Sequence, residues 1–208
     1  MLIYIIRHGE TDLNVKGVLQ GWVDEPLNES GMRLARITGE KMESVRFDGC
    51  FSSPLKRAAD TARIVLEASE NDLPIRYDDR LREISFGVAE GRRRSTLGEQ
   101  GRRFFEEPFR YEPFPGGESI EQVCARTQGF LKELLMRDDG KTYLLSTHGC
   151  ALRAMLNYLY EDPSDFWHVH VPYNCAVSIV EGRNGQGRLI GDDVIYYDRS
   201  QIVDRYAK

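Results

Sequence analysis

The chain has 208 residues, of which 41% are hydrophobic and 29% charged, a composition typical of a globular protein rather than of a disordered or fibrous one. Its length favours one compact domain, 1–208. The longest apolar run, 2–6, is far shorter than the roughly 18 residues of a membrane helix, and no basic leader precedes it, so we expect a cytoplasmic protein. The net charge of -5 argues against a nucleic-acid or membrane-surface partner.

Strands and helices alternate along the sequence. In chain order, the hydrophobic patterns predict a strand at 2–7, a helix at 31–45 behind the cap Ser30, a strand at 47–52 and a helix at 54–69 with Pro54 in its first turn. Further along, they predict a helix at 119–137 with Ser119 and Gln122 in a capping box, a strand at 142–147 and a helix at 150–160. The last two predicted strands, 175–181 and 188–196, lie on either side of a turn at Asn184–Gly185. Because crossover helices must cover both faces of a parallel sheet, this order predicts a three-layer α/β/α sandwich with a mainly parallel central sheet.

The segment 84–117 interrupts this alternation with glycines and prolines around a short helical stretch at 95–107, which predicts a lid or binding loop. It carries two groups of side chains that could face a ligand. One is a basic cluster, which either meets solvent or binds an anion: Arg92, Arg93, Arg94, Arg102 and Arg103. The other is aromatic, and either forms a small core of the lid or contacts an aromatic leaving group: Phe104, Phe105, Phe109, Tyr111 and Phe114.

Polar residues follow three of the predicted strands. Arg7 and His8 come after the first, with Asn14 shortly beyond; Arg57 follows the second, and His148 the strand at 142–147. Ligands of open α/β sheets bind at the carboxyl ends of the strands, so we expect these side chains to converge. Arginine matches phosphate oxygens bidentately, and imidazole can attack phosphorus, so the set favours phosphate chemistry.

Four motifs carry a resemblance to a known family: Arg7-His8-Gly9-Glu10-Thr11 with Asn14, Ser52 to Ala58 with Thr61, Leu81-Arg82-Glu83-Ile84 with Gly87 and Glu90-Gly91, and Ser146-Thr147-His148-Gly149. Together they resemble the histidine phosphatase superfamily, the phosphoglycerate mutase-like proteins, over nearly the whole chain. The resemblance implies a phosphoglycerate mutase-like fold, a small phosphorylated metabolite as substrate, and no cofactor. It also implies site roles, with His8 as the nucleophile that becomes phosphohistidine, Glu83 as the proton donor, and a phosphate pocket of Arg7, Asn14, Arg57 and His148.

Physical reasoning is consistent with those roles. Arg7, Arg57 and His148 could neutralise the charge of a transferring phosphoryl group without a metal ion. The arginines would also disfavour protonation of His8, which must attack as neutral imidazole. Glu83 could protonate the leaving alkoxide and then take a proton from the attacking water.

A phosphoglycerate mutase is the nearest alternative to a phosphatase. The mutase pattern of the family has a Tyr shortly after the acid and a longer insertion, whereas this chain has Ser85-Phe86-Gly87 and a short one. That departure favours hydrolysis. Phosphatases of the family usually have Trp before Glu90-Gly91, where this chain has Ala89.

Other functions fit the sequence less well. A cysteine phosphatase needs C-x5-R, but Cys50 precedes Arg57 by one residue too many, and the four cysteines, which form no C-x-x-C pair, are predicted to be reduced thiols. A metal hydrolase could be built from His8, His148, His168 and His170 with carboxylates. We predict His168 and His170 on one face of a strand, but no other ligand pattern accompanies them. A sensor without turnover would lack the nucleophile or the acid. The substrate stays open among a sugar phosphate, a phosphoglycerate, a nucleotide and a ribazole phosphate, and the oligomeric state is open too.

Overall fold

The computed structural model describes residues 1–202. A single sheet in strand order β3-β2-β4-β1-β5-β6 is built from β1 (Leu2–Arg7), β2 (Gly49–Ser52), β3 (Ile75–Tyr77), β4 (Thr142–Thr147), β5 (Val177–Arg183) and β6 (Gln186–Val194). The α-helices are α1 (Asp12–Val15), α2 (Glu29–Glu40), α3 (Lys56–Ala68), α4 (Gly98–Glu106), α5 (Ile120–Leu135) and α6 (Gly149–Leu156).

The sheet is mixed. The strands β3, β2, β4 and β1 are parallel, whereas β5 is antiparallel to β1 and β6 is antiparallel to β5. The prediction of a mainly parallel sheet is confirmed for these four strands, and three of them, β1, β2 and β4, carry the polar motifs at their ends. The antiparallel pair forms a hairpin at Asn184–Gly185, and both turn residues have the positive φ that such a turn requires.

Side chains of the strands alternate between two hydrophobic layers. Ile3 and Ile5 of β1 pack with residues of α5 and α6 on one face of the sheet. Ile6 of β1 packs with residues of α2 and α3 on the other face. This is the two-residue period of a strand buried on both sides, and it confirms the three-layer α/β arrangement.

Several predicted boundaries are wrong by a few residues. The helix α2 is capped by Asn28, not Ser30, because the Asn28 side chain accepts a hydrogen bond from the Gly31 amide (2.8 Å), and the helix ends at Glu40 rather than 45. The helix α3 begins at Lys56, so Pro54 lies before its cap instead of in its first turn. The helix predicted at 150–160 ends at Leu156 and continues as one 3-10 turn.

Strand limits also differ from the predictions. The second strand begins at Gly49 instead of 47, and the last two strands are shifted by two residues to Val177–Arg183 and Gln186–Val194. The short elements α1 and β3 were not predicted. The strand at 142–147 and the Ser119–Gln122 capping box of α5 are confirmed. No helix within residues 1–202 is long and apolar enough to cross a membrane, and the four cysteines are free thiols.

The lid segment 84–117 contains the predicted helical stretch as a 3-10 turn at Arg94–Thr96 followed by α4. Its aromatic residues other than Phe109 belong to a third hydrophobic cluster, which includes residues of α5 and the loop residues Phe166 and Trp167. Phe104, Tyr111 and Phe114 are buried there. The interpretation of these three as a small core is therefore confirmed, while Phe109 is 41% exposed.

Candidate active site

Neighbouring parallel strands bring the two motif histidines together. Arg7 at the end of β1 pairs with Thr147 at the end of β4, so the next residue of each strand is a histidine. The His8 amide donates to the Thr147 carbonyl (2.9 Å), and the rings of His8 and His148 lie 5.2 Å apart between centroids. The sheet register thus assembles this pair from sequence positions far apart.

His8 has one ring nitrogen engaged and one available. Its Nδ1 lies 2.7 Å from the Gly9 carbonyl, which can only accept, so Nδ1 carries the proton and Nε2 keeps its lone pair. Burial lowers the pKa of His8 well below its usual range, and the positive charges of Arg57 and Arg7 lower it further. The imidazole is therefore neutral at physiological pH, the state in which Nε2 is a nucleophile.

Gly9 is required by a close approach of two backbones. A Cβ at this position would lie 2.6 Å from the Gly31 carbonyl oxygen of α2, which no side chain can accommodate. The Gly9 amide donates to the Thr61 hydroxyl of α3 (2.9 Å). The loop that carries His8 is thus pressed onto two helices, which restricts its movement.

Two buried arginines flank His8. Arg7 donates through Nη1 to the Pro172 carbonyl, and Arg57 donates to the Val23 and Gly21 carbonyls at 2.7 Å each. The Arg57 Nε–H is buried and has no hydrogen-bond partner among residues 1–202. Burial lowers the pKa of Arg57 to about 10, so its guanidinium stays charged at neutral pH.

His148 is held by a serine that sequence reasoning did not single out. Its Nε2 lies 2.8 Å from the Ser53 hydroxyl, whereas its Nδ1 is buried without a partner in the described part of the chain. Burial lowers the pKa of His148 well below its usual range, and Arg57 and His8 add to this effect. A neutral ring whose free nitrogen is buried can donate or accept one hydrogen bond from a ligand.

Asn14 also lines the pocket, on the turn after β1. Its side-chain oxygen accepts from the Thr11 amide (3.1 Å), and the Thr11 hydroxyl accepts from the Asn14 amide, in a reciprocal capping box of α1. The cap fixes the position of the Asn14 side chain beside Arg7 and His8 in the pocket lining.

The Glu83 carboxylate lies at the N-terminus of α6. It accepts from the amides of Ala151 (3.0 Å) and Cys150 (3.3 Å), and also from the amide of Ile84 (3.0 Å). These bonds place a carboxylate in the pocket wall next to the helix that His148 caps. Glu83 is only partly buried.

Arg126 on α5 holds the loop that carries Glu83. It donates to the backbone carbonyls of Arg80 (2.8 Å), Arg82 (2.7 Å) and Glu83 (2.9 Å), and its guanidinium is paired with Glu118 (2.8 Å). Sequence reasoning missed Arg126 because it lies 43 residues beyond Glu83 and belongs to none of the four motifs.

Arg7, His8, Asn14, Arg57 and Glu83 line one pocket of about 450 Å³ of empty space. His148 is not part of the lining, but its ring lies 5.2 Å from that of His8. We call Arg7, His8 and Arg57, together with His148, the polar floor. A second part of the lining, which we call the aromatic roof, consists of Phe86, Phe104, Phe105 and Trp167. The structure thus brings the residues predicted for the site close together and adds a roof that the sequence left undecided.

Two residue groups from the sequence lie outside this pocket. None of the five lid arginines lines it: Arg102 and Arg103 pair with Glu106 and Glu99, and the Arg94 guanidinium lies 3.8 Å from the centre of the Phe105 ring. The buried Cys50 belongs to a hydrophobic layer, and burial raises the pKa of its thiol to about 12, which does not suit a nucleophile.

The prediction that His168 and His170 share a strand face is wrong. Both lie in a turn, where His168 has φ 46° and Val169 φ 83°. His168 stacks on Tyr160 with ring centroids 3.4 Å apart, and His170 pairs with Asp193. Residues 1–202 contain no group of three or more His, Cys, Asp or Glu side chains that could hold a metal ion.

Comparisons with known proteins place this site in a family. The model of the histidine phosphatase superfamily (branch 1) matches residues 3–191. A fructose-2,6-bisphosphatase TIGAR of Mus musculus is 43% identical over 61% of this chain and 48% of its own, so the chain spans about half the length of that relative. A 2,3-bisphosphoglycerate-dependent phosphoglycerate mutase of Cytophaga hutchinsonii is 32% identical over 81% of this chain and 82% of its own.

A solved structure gives the same result. Bacillus stearothermophilus YhfR superposes with a TM-score of 0.86 at 32% identity, covering 94% of this chain and 98% of that one. The chain therefore belongs to the histidine phosphatase superfamily (branch 1).

Proposed function

We propose that this protein hydrolyses phosphomonoesters of a small metabolite through a phosphohistidine intermediate on His8. The observation that carries the proposal is the polar floor, where the unprotonated Nε2 of His8 lies among buried nitrogen atoms that lack partners in the described chain. The Arg57 Nε–H and the His148 Nδ1 are both buried without hydrogen bonds among the described residues. A phosphoryl group above His8 would satisfy both, which favours its binding because a buried unpaired polar atom costs free energy.

In the first step, the His8 Nε2 attacks phosphorus and the bond from phosphorus to the ester oxygen breaks. Arg7 and Arg57 offset the negative charge on the phosphoryl oxygens, so no metal ion or cofactor is part of the proposal. The leaving oxygen takes a proton from the Glu83 carboxyl, which lies in the wall of the same pocket.

In the second step, water attacks the phosphohistidine. Glu83, now ionised, takes a proton from that water, the bond from nitrogen to phosphorus breaks, and inorganic phosphate leaves. The backbone amides that donate to Glu83 stabilise its carboxylate between the two steps. One carboxyl group then serves both half-reactions.

Mutase activity is the second candidate, because one relative is named a phosphoglycerate mutase. Hydrolysis is favoured by Ser85, which stands near the position where mutases of the family carry a Tyr. Its hydroxyl contacts Glu90 (3.3 Å) and contributes no phenol to the pocket. With 3-phosphoglycerate and its bisphosphate primer, we expect phosphate release from the best ester to be much faster than formation of 2-phosphoglycerate.

The decisive experiment traps the intermediate. Rapid quench with labelled ester should give an acid-labile, base-stable adduct that maps to His8. The His8→Ala variant should lose both adduct and turnover, whereas His168→Ala, which removes a histidine outside the pocket, should keep both. Turnover by His8→Ala at the rate of the unchanged protein would exclude the proposal.

Other features extend this proposal. We infer that 84–117 acts as the lid of a single domain, 1–208, because Phe86, Phe104 and Phe105 supply most of the aromatic roof. A cytoplasmic location and the absence of nucleic-acid or membrane binding stay predictions from composition and charge.

A further inference from the structure

Apart from Asn14, Gln20 and Glu83, the pocket wall beyond the polar floor is largely apolar. Its side chains include Leu19, Val171 and the four rings of the aromatic roof. Phe104 packs edge to face against Phe86, Phe105 and Trp167, with ring centroids 4.9 to 5.4 Å apart. The indole N–H of Trp167 is already used, because it donates to the Phe104 carbonyl (3.2 Å). The roof therefore offers ring surface and no hydrogen-bond donor to a ligand.

The positive charge of this pocket is confined to the floor. Arg7 and Arg57 are the only Lys or Arg residues in the lining, as far as residues 1–202 are concerned. Arg94 of the lid contacts the ring of Phe105 but is not part of the lining. A substrate with a second anionic group would have to move that charge out of water and against hydrocarbon rings, with no counter-ion beside it. Such a transfer is unfavourable in free energy.

Besides Asn14, which is held in the cap of α1, the described lining has a neutral amide side chain at Gln20. It is buried, and its amide oxygen has no hydrogen-bond partner in the described chain. A single hydroxyl or N–H on the leaving alcohol would satisfy this oxygen.

We propose that the alcohol part of the substrate is uncharged and presents a planar apolar face to the aromatic roof. The inference rests on the proposed phosphatase activity and sharpens it, since it selects phosphomonoesters of neutral, aromatic or largely apolar alcohols. It disfavours bisphosphates and phosphoglycerates, although one relative is named a fructose-2,6-bisphosphatase.

The test compares two esters that differ only in charge. In 4-carbamoylbenzyl phosphate and 4-carboxybenzyl phosphate the reacting phosphate, the benzylic oxygen and the size of the ring substituent are matched. We expect kcat/KM for the neutral ester to be at least about tenfold higher, the effect of burying an unpaired charge. Equal values, or a preference for the carboxylate, would overturn the inference.

A pair of variants locates the effect. Phe105→Ala removes a roof ring, and Phe109→Ala removes a lid ring that packs on Phe166 outside the pocket. We expect Phe105→Ala to lower kcat/KM for benzyl phosphate about tenfold or more while ethyl phosphate changes little, since only the benzyl ring buries surface on Phe105. Phe109→Ala should change neither ester. Equal losses for both esters in Phe105→Ala would also count against the inference.

The phosphohistidine adduct separates this inference from the proposed function. If no ester forms an adduct on His8, the phosphatase proposal fails and the inference fails with it. If the adduct forms but 3-phosphoglycerate, fructose bisphosphate or the carboxybenzyl ester reacts faster than the neutral benzyl esters, the phosphatase proposal stands and the inference alone is wrong.

Discussion

The polar floor and the aromatic roof are built in different ways. Each floor residue follows a strand or starts a helix, and main-chain hydrogen bonds such as that from the His8 amide to the Thr147 carbonyl fix its place. The roof is assembled from rings in three separate stretches, around 86, 104–105 and 167, which are held by contacts with one another. The positions of the polar floor residues are thus set by strand register and short motifs. The shape of the surface that contacts the leaving group depends instead on packing between distant segments.

The largest effect is expected from Glu83→Gln, which removes the proposed proton donor from the pocket lining. An alkyl phosphate needs protonation of its leaving oxygen, so its phosphoryl transfer should slow by about two to four orders of magnitude. A nitrophenolate leaves without being protonated, so the burst rate with 4-nitrophenyl phosphate should fall much less. Burst-phase kinetics is the measurement, because it isolates the first step.

Phosphohistidine should also accumulate in Glu83→Gln, because the same carboxylate activates water. Equal burst losses for the two leaving groups would show that Glu83 only positions the substrate. Glu10 and Glu90 would then be the next candidates for the acid. Of these two residues, Glu90 is the less available as an acid, because its carboxylate already accepts hydrogen bonds from the Trp22 and Phe86 amides.

Removing a floor cation tests the electrostatic role. Arg57→Met deletes a buried guanidinium and keeps the apolar stem, so kcat/KM should fall by about 100- to 1000-fold, the usual effect of losing one transition-state donor. The matched control is Arg63→Met on the same helix, whose side chain is 60% exposed, and its activity should be unchanged. A loss below tenfold in Arg57→Met would mean that Arg7 and His148 alone stabilise the phosphoryl group.

Arg126 tests whether Glu83 needs its support. Arg126→Met breaks three backbone contacts and the pair with Glu118, and should lower the free energy of unfolding by about 2 to 3 kcal/mol. It should also reduce the alkyl-ester burst about tenfold while sparing the nitrophenyl burst, because misplacement affects the acid alone. Arg126→Lys should recover part of this difference. A uniform loss with both esters would indicate a purely structural role.

The pH dependence of the burst tests the neutral state of His8. A histidine with an ordinary pKa would be about 90% protonated at pH 5.5. Because burial and then the two arginines lower the pKa of His8, its reactive neutral form persists well below that range. The burst rate with saturating 4-nitrophenyl phosphate should therefore change less than about twofold between pH 7.5 and 5.5. A tenfold fall would contradict a lowered pKa.

The smallest effect is expected outside both regions. Arg93 is exposed and lines a separate surface cleft with Lys16, Arg94 and Arg102. Arg93→Ala should leave kcat/KM within about twofold for neutral and anionic esters alike, as is usual for a surface change. A fall in kcat/KM with 4-carboxybenzyl phosphate alone would show that the basic cluster contacts the leaving group. The positive charge of the site would then not be confined to the polar floor.

The sequence was most informative for the floor. Arg7, His8 and His148 stand at strand ends whose apolar runs are long enough to recognise, so their convergence follows from parallel pairing. The roof was not predictable in the same way, because Phe105 and Trp167 meet only through tertiary packing. The interpretation of the lid aromatics as either core or ligand wall was too strict, since Phe104 is buried in the cluster and also lines the pocket.

Local backbone geometry explains most of the errors. Three residues of β3 and four of α1 are too few to show a hydrophobic period. Asn28 and Ser30 are both good caps, and only the hydrogen bond to Gly31 distinguishes them. The positive φ of His168 turns the chain where an extended strand was predicted, and no residue type at that position signals it.

The position of β1 between β4 and β5 has a consequence for how the protein is made. The Arg7 guanidinium is held by Pro172, which lies 165 residues further along the chain. Ribosomes add about 5 to 20 residues per second, so β1 spends roughly ten seconds or more as an unpaired apolar segment before its partners emerge. During that time the apolar segment Leu2–Arg7 can associate with other strands or with chaperones. His8, the proposed nucleophile, is thus synthesised well before the residues that complete its site.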